Sequence, residues 1–129
     1  MKMLVIENDR NACGLIERAF VSNDLVEVKL VDSIMQSFPL IQECWPDFLV
    51  LDWNLEPLHD ETKMRVLDQC TARGIRYIIW AQTIESVPAV LRDKFVGKAA
   101  GMDVLRAAID SQQKEPLNKL ARCSVQKIW

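Results

Sequence analysis

The sequence predicts an α/β fold, in which a doubly wound five-stranded parallel sheet carries helices on both faces. Three observations lead to this class. Short apolar runs alternate with segments of helical periodicity along the 129-residue chain. Most of these runs are apolar throughout, which is typical of parallel strands that are buried on both faces. The strict alternation of the two kinds of segment is the pattern of such a sheet.

Five strands are predicted from these runs. Continuous apolar runs place four of them at residues 3–6, 48–51, 75–81 and 94–97. The remaining strand, residues 25–31, has the sequence LVEVKLV, in which apolar and charged residues alternate. One of its faces should therefore meet solvent, which indicates a position near an edge of the sheet.

A helical segment follows each strand, at residues 10–20, 33–44, 60–73, 85–93 and 101–113. Asp9 can serve as N-cap of the first helix, and Gly74 stops the third. The second segment contains Pro39, which predicts either a kink or a late start near Ser37. The fourth is short enough to be a turn or a brief helix.

Composition limits the function classes. The length suggests one domain, and half of the residues are hydrophobic, enough for a core. A net charge of −2 does not favour a nucleic-acid or membrane partner, and no apolar run reaches bilayer length. The N-terminal residues do not form a signal peptide, so we expect a cytoplasmic protein. The cysteines and the single histidine are too scattered for a zinc site and suit buried thiols in a reducing compartment; they are Cys13, Cys44, Cys70, Cys123 and His59.

The carboxyl ends of parallel strands form the usual ligand site of such a sheet. The residues at these ends are Glu7, Asn8 and Asp9 on the first strand, Asp52 on the third, Ala81 and Gln82 on the fourth, and Lys98 on the fifth. Crowded carboxylates need a cation, and Mg²⁺ prefers oxygen ligands. An aspartate between a metal ion and an ammonium group is suited to accept a phosphoryl group. The alternative is a plain ion pair between Lys98 and Asp52 without any reaction, and the charges alone leave both open.

Four motifs occur in a familiar order: LVIEND, PDFLVLDWNL, GIRYIIWAQ and FVGKAAGMDVLRAAI. With them, residues 2–113 resemble the receiver domain of bacterial response regulators, and in particular the stand-alone receivers of the chemotaxis type. The resemblance implies a flavodoxin-like sheet with strand order 2-1-3-4-5 and a short fourth helix. It assigns residues 1–113 to the receiver domain and residues 114–129 to a C-terminal tail.

The resemblance also implies a role for each site residue. Asp52 is the phosphoacceptor, and Lys98 contacts the phosphoryl group. Glu7, Asn8 and Asp52 hold Mg²⁺ together with the backbone carbonyl of Asn54. Such a protein belongs to a two-component phosphorelay, is not itself an enzyme, and receives its phosphoryl group from a histidine kinase or a histidine phosphotransfer protein. It then signals by binding a downstream protein.

Some positions depart from the family pattern. Asn8 replaces the usual aspartate, so Mg²⁺ affinity should be lower. Ala81 replaces the switch threonine or serine and cannot hydrogen-bond a phosphoryl group, whereas Phe95 matches the switch aromatic. These changes keep a second hypothesis open, a pseudo-receiver that acts as a phosphorylation-independent interaction module. A small hydrolase or nucleotide binder is disfavoured, because the DWN sequence lacks a second aspartate and no glycine-rich phosphate loop occurs.

The C-terminal tail carries a surplus of positive charge and an apolar stripe that begins after Pro116. It could bind a partner helix or a second copy of the chain, giving a homodimer, or it could be disordered or fold back on its own domain. At this length it is too short for a DNA-binding output domain, so output should use protein contacts.

One aromatic side chain near a strand end has a structural as well as a functional reading. Trp53 could shield an aspartyl phosphate from water, or it could simply pack over its loop. Trp80 lies in a buried strand and is predicted to be core, as are Met35 and Met64. His59 is predicted to be a solvent-facing turn residue.

Overall fold

Five parallel strands form one sheet in the order β2-β1-β3-β4-β5. The structure, a computed structural model, describes residues 1–20, 26–55 and 60–114. The strands are β1 (Lys2–Ile6), β2 (Glu27–Val31), β3 (Phe48–Asp52), β4 (Arg76–Ala81) and β5 (Phe95–Gly97). Every neighbouring pair is parallel. The predicted fold class and strand order are therefore confirmed.

Helices cover both faces of this sheet. They are α1 (Arg10–Phe20), α2 (Ile34–Glu43), α3 (Asp60–Ala72) and α4 (Met102–Lys114). Alternate residues of the central strands point to opposite faces, so Val50 packs with α1 and α4 whereas Leu49 and Leu51 pack with α2 and α3. All five residues of β3 are buried, so both faces of this central strand are covered. This burial explains why the strand is apolar up to its final residue, Asp52.

The predicted half-wet strand lies at the edge of the sheet. Along β2 the exposed residues Glu27 and Lys29 alternate with the partly buried Val28 and Leu30. Among the described strands, only β1 pairs with β2. The alternation of apolar and charged residues therefore predicts the edge position of β2 correctly.

Helix α2 passes through its proline instead of starting late, so the predicted start near Ser37 is wrong. The Ser33 hydroxyl caps the helix by accepting a hydrogen bond from the Gln36 backbone N–H at 3.3 Å. Pro39 is exposed, and Met35, whose carbonyl loses its helical partner to the proline, is 65% exposed. Water can satisfy that carbonyl, which makes the proline tolerable. Met35 is thus not a core residue.

The connection between β4 and β5 contains two 3₁₀ segments, Ile84–Ser86 and Ala89–Lys94, in place of the short fourth helix. Pro88 lies between them and forces Val87 into an extended conformation (φ −99°, ψ 132°). A continuous α-helix cannot form across this position.

Two predictions concern residues outside the described ranges. These are His59 and the C-terminal tail beyond Lys114, the last residue of α4. Among the described helices, none combines the length and apolar character that a bilayer span requires. Asp9 does cap α1, since its carboxylate accepts a hydrogen bond from the Asn11 N–H at 2.9 Å.

Candidate functional site

The ends of β1, β3 and β5 bring together three of the predicted site residues. Lys98 Nζ lies 2.7 Å from Glu7 Oε2 and 3.1 Å from Asp52 Oδ1. Since β4 separates β5 from β3 in the sheet, the lysine side chain reaches across β4 to make these contacts. The three side chains therefore form one ion-pair cluster on the face of the sheet that carries α1 and α4.

This cluster is almost fully buried. The exposed fraction is 0% for the Glu7 side chain, 3% for Asp52 and 12% for Lys98. A buried charge is costly unless it is paired, and here one ammonium group faces two carboxylates. When all three groups are ionised, one negative charge stays unmatched within the cluster.

The pKa values of the cluster reflect this arrangement. Burial raises the pKa of Glu7, and the hydrogen bond from Lys98 and the Asp9 backbone N–H, 3.0 Å from Glu7 Oε1, offset it only in part. For Lys98, burial lowers the pKa, but pairing with Glu7 and Asp52 outweighs it and raises the pKa overall. Lys98 therefore stays protonated, and Glu7 is a carboxylate that a further cation would stabilise.

Trp80 packs against the ammonium group of Lys98. It is buried and stands beside Asp52 in the β3–β4 register. Lys98 Nζ lies 5.0 Å from the centroid of its ring, close enough for a cation–π contact. The sequence identifies Trp80 as core but not as a site residue. The two side chains share a face because the register pairs Asp52 with Trp80, and the sequence alone does not show this register.

Asn54 links Asp52 to the end of the neighbouring strand β4. Its backbone N–H donates to Asp52 Oδ1 at 3.0 Å, and its side-chain Oδ1 accepts from the Gln82 N–H at 2.9 Å. Ala81, just before Gln82, is completely buried and has no hydroxyl to offer. Phe95 packs half-buried against the core on the α2 and α3 side.

The oxygen donors at this site fit a weakly held hard cation. Glu7 and Asp52 supply carboxylates, and Asn8 is exposed beside Glu7 with an amide oxygen. Within residues 1–20, 26–55 and 60–114, no three His, Cys, Asp or Glu side chains form a group that could hold a metal. An all-oxygen donor set with an unmatched negative charge suits Mg²⁺, and two carboxylates instead of three imply modest affinity.

Trp53 packs in the core, so the structural reading of this residue holds and the shielding reading does not. Its side chain is buried among residues of the α2 and α3 layer, on the face opposite the Asp52 carboxylate. Lys63 of α3 lies against it, with Nζ 5.3 Å from the Trp53 ring centroid and hydrogen-bonded to the Trp53 carbonyl oxygen.

Sequence reasoning missed Lys63. The buried positions of α3 are Lys63, Val66, Leu67 and Cys70, a regular helical stripe in which the lysine occupies an apolar position. The spacing was therefore visible in the sequence. Because a lysine on a helix is usually assigned to the solvent face, the burial of Lys63 was not predicted.

Solved structures of response-regulator receivers superpose on this chain. The BeF₃-activated conformation of SdrG from Pseudomonas melonis Fr1 has a TM-score of 0.70 and 21% identity, and the alignment covers 86% of this chain and 94% of SdrG. The receiver domain of Francisella response regulator 1452 gives 0.67 and 20%, with 88% and 98% covered. The Mn²⁺-bound form of response regulator Rcp1 gives 0.65 and 12%, with 91% and 98% covered.

The chain has the fold of a receiver domain. At these identities the likeness establishes the fold, and the chemistry has to be argued from the residues present. Comparison with protein-family models gave no match, and comparison with curated proteins gave none either. In the receiver fold the cluster of Glu7, Asp52 and Lys98 lies at the carboxyl edge of the sheet, where this fold class binds ligands.

Proposed function

We propose that this chain is a response-regulator receiver that accepts a phosphoryl group on Asp52 and signals through protein–protein contacts. One observation carries the proposal: a buried carboxylate at the end of β3 lies 3.1 Å from the ammonium group of Lys98, in a cluster with excess negative charge. Phosphoryl transfer depends mainly on positioning oxygens and neutralising charge, and this cluster supplies both.

The two oxygens of Asp52 are not equivalent. Oδ1 already accepts the Asn54 N–H and contacts Lys98, so Oδ2 is the oxygen left to act as nucleophile. With a phosphohistidine donor, Oδ2 forms the new bond to phosphorus while the phosphorus–nitrogen bond breaks. The electron pair of that bond stays on the imidazole, which then takes a proton. Lys98 balances the charge on the phosphoryl oxygens.

Mg²⁺ would be held by the carboxylates of Glu7 and Asp52, the Asn8 amide oxygen and the Asn54 backbone carbonyl, and it would neutralise phosphoryl charge. The Mn²⁺-bound form of response regulator Rcp1, which has the same fold, supports the proposal that this chain binds a divalent ion. The donor of the phosphoryl group would be a histidine kinase or a histidine phosphotransfer protein, in the cytoplasm.

Ala81 favours a second candidate, the pseudo-receiver. Because this position is completely buried and lacks a hydroxyl, a phosphoryl group on Asp52 would gain no hydrogen bond from it. In that case Lys98 would act as a permanent clamp between the two carboxylates, and binding of the downstream protein would not depend on phosphorylation.

Incubation with Mg²⁺ and acetyl phosphate distinguishes the two candidates. A receiver gains the mass of one phosphoryl group by intact mass spectrometry, and neutral hydroxylamine removes it because the product is an acyl phosphate. Asp52→Asn should abolish the gain. If the mass stays unchanged and Mg²⁺ with beryllofluoride leaves tryptophan fluorescence unchanged, the pseudo-receiver is the correct reading.

A further inference from the structure

Lys63 is a buried charge that the proposed mechanism does not use. Among the described residues, the buried charged side chains are Glu7, Asp52 and Lys63, and the first two belong to the cluster above. Lys63 lies on the opposite face of the sheet, in the layer of α2 and α3. An ammonium group in a dry layer is retained only if it has partners that offset its burial.

Its main partner is a backbone carbonyl. Lys63 Nζ donates to the Trp53 carbonyl oxygen and lies 5.3 Å from the indole centroid of the same residue. Among the described residues, the carboxylate that pairs with Lys63 is Asp60 Oδ1 at 3.9 Å, on a side chain that is 65% exposed. Such a long contact with a solvated carboxylate is weak, so the contacts with Trp53 dominate.

The Trp53 carbonyl and the Asn54 N–H belong to one peptide group, and this N–H donates to Asp52 Oδ1 at 3.0 Å. A cation on the carbonyl oxygen draws electron density out of the amide and makes its N–H a stronger donor, because linked hydrogen bonds reinforce one another. The Trp53 N–H is also fixed, since it donates to the Trp80 carbonyl at 3.0 Å. Both peptide groups that flank Trp53 are therefore held.

We propose that Lys63 is a positioning residue for Asp52: it acts from the far face of the sheet, through the Trp53–Asn54 peptide, to fix Oδ1 and leave Oδ2 free for phosphoryl transfer. The consequence for transfer rests on the proposed function. The effect on the Asn54 N–H does not, because the hydrogen bonds exist without a phosphoryl donor.

The test compares three substitutions in the full chain. Lys63→Met removes the charge and the donor while keeping the length, and Lys63→Arg keeps the charge. Arg65→Met is the control, because Arg65 lies on the same helix with a side chain that is 72% exposed. The readouts are the chemical shift and hydrogen exchange of the Asn54 amide proton by NMR, and the rate of phosphorylation by acetyl phosphate.

For Lys63→Met we expect an upfield shift of the Asn54 amide proton, exchange faster by about fivefold relative to the control, and phosphorylation slower by about tenfold. Lys63→Arg should restore most of the wild-type amide behaviour and most of the wild-type phosphorylation rate. An unchanged Asn54 amide in Lys63→Met would overturn the proposal. If the wild-type chain takes up no phosphoryl group, the proposed function fails while the amide measurement still decides this inference.

If Lys63→Met does not fold, Lys63→Gln takes its place. Lys63→Gln retains a neutral N–H donor and should give an intermediate Asn54 shift. Urea unfolding of each variant distinguishes loss of the hydrogen bonds that connect Lys63 to Asp52 from loss of the fold. Failure of both neutral variants to fold would assign Lys63 to core stability alone and overturn the positioning role.

Discussion

At the scale of single residues, Asn8 is the proposed metal ligand whose charge differs from the family pattern. It is exposed beside Glu7 and brings an amide oxygen where the resemblance predicts a carboxylate. Asn8→Asp adds one negative charge close to the proposed ion, so Mg²⁺ affinity should rise by about tenfold. Titration of tryptophan fluorescence with Mg²⁺ measures the change. Asn11→Asp adds the same charge in the first turn of α1 and should have a much smaller effect, and equal effects would show that Asn8 is not a ligand.

Lys98 gives a prediction about stability. Lys98→Met leaves the Glu7 and Asp52 carboxylates buried together without a cation, so the free energy of unfolding should fall by about 3–5 kcal/mol at pH 7. Urea unfolding measures it, and added Mg²⁺ should restore part of the loss. The control is Lys29→Met on the exposed face of the edge strand, expected to change stability by less than about 1 kcal/mol. A small loss in Lys98→Met would mean that water already reaches the carboxylates.

The positions of some residues could be predicted from the sequence, and those of others could not. The meeting of Glu7, Asp52 and Lys98 could be predicted because parallel strands place their carboxyl ends at one edge, whichever helices cover the faces. Lys63 could not be placed in the same way, because its location depends on the packing of α3 over Trp53. The roles of the site residues in phosphoryl transfer stay predictions.

At the scale of elements, the cap of α2 outweighs its proline. The Ser33 hydroxyl satisfies the Gln36 N–H, which explains why the helix begins at Ile34, three residues before Ser37. Ser33→Ala should therefore lower the free energy of unfolding by about 1 kcal/mol, as measured by urea unfolding. Gln36→Ala is the control, because it keeps the backbone N–H and removes an exposed side chain. A loss as large in the control would contradict the capping role.

The end of α2 lies within one residue of its predicted position, but the conformation that ends the helix could not be predicted from the sequence. Trp45 follows the helix in the left-handed region (φ 51°), where glycine is usual. The sequence signals the stop only through Pro46, which comes two residues after the C-cap Cys44. Its indole Nε1 donates to the Arg73 carbonyl at 3.2 Å, and the Arg73 guanidinium lies 5.1 Å from its ring. Contacts with the end of α3 stabilise this conformation, and such contacts are invisible to local sequence patterns.

At the scale of the whole molecule, the sheet separates two apolar layers, and continuous apolar strands predict both. Cys70 lies at the centre of the layer formed with α2 and α3 and is fully buried. Burial raises the pKa of its thiol from 9.0 to about 12. The folded chain therefore keeps this proton above pH 9, whereas the unfolded chain releases it. Stability from this group is complete below pH 9 and decreases as the pH rises toward 12.

Cys70→Ala isolates this linkage. At pH 7 the variant should be less stable than the wild type, because a small cavity replaces the sulfur. The difference in free energy of unfolding between the wild type and the variant (the gap) should decrease by about 2–3 kcal/mol between pH 9 and pH 11, since only the wild type has a thiol to ionise on unfolding. Urea unfolding under reducing conditions across this range measures the gap. Val66→Ala, a cavity at a buried and non-ionisable neighbour on α3, should keep a constant gap. A constant gap for Cys70→Ala as well would mean that the thiol ionises equally in both states, and thus that water enters this layer of the core.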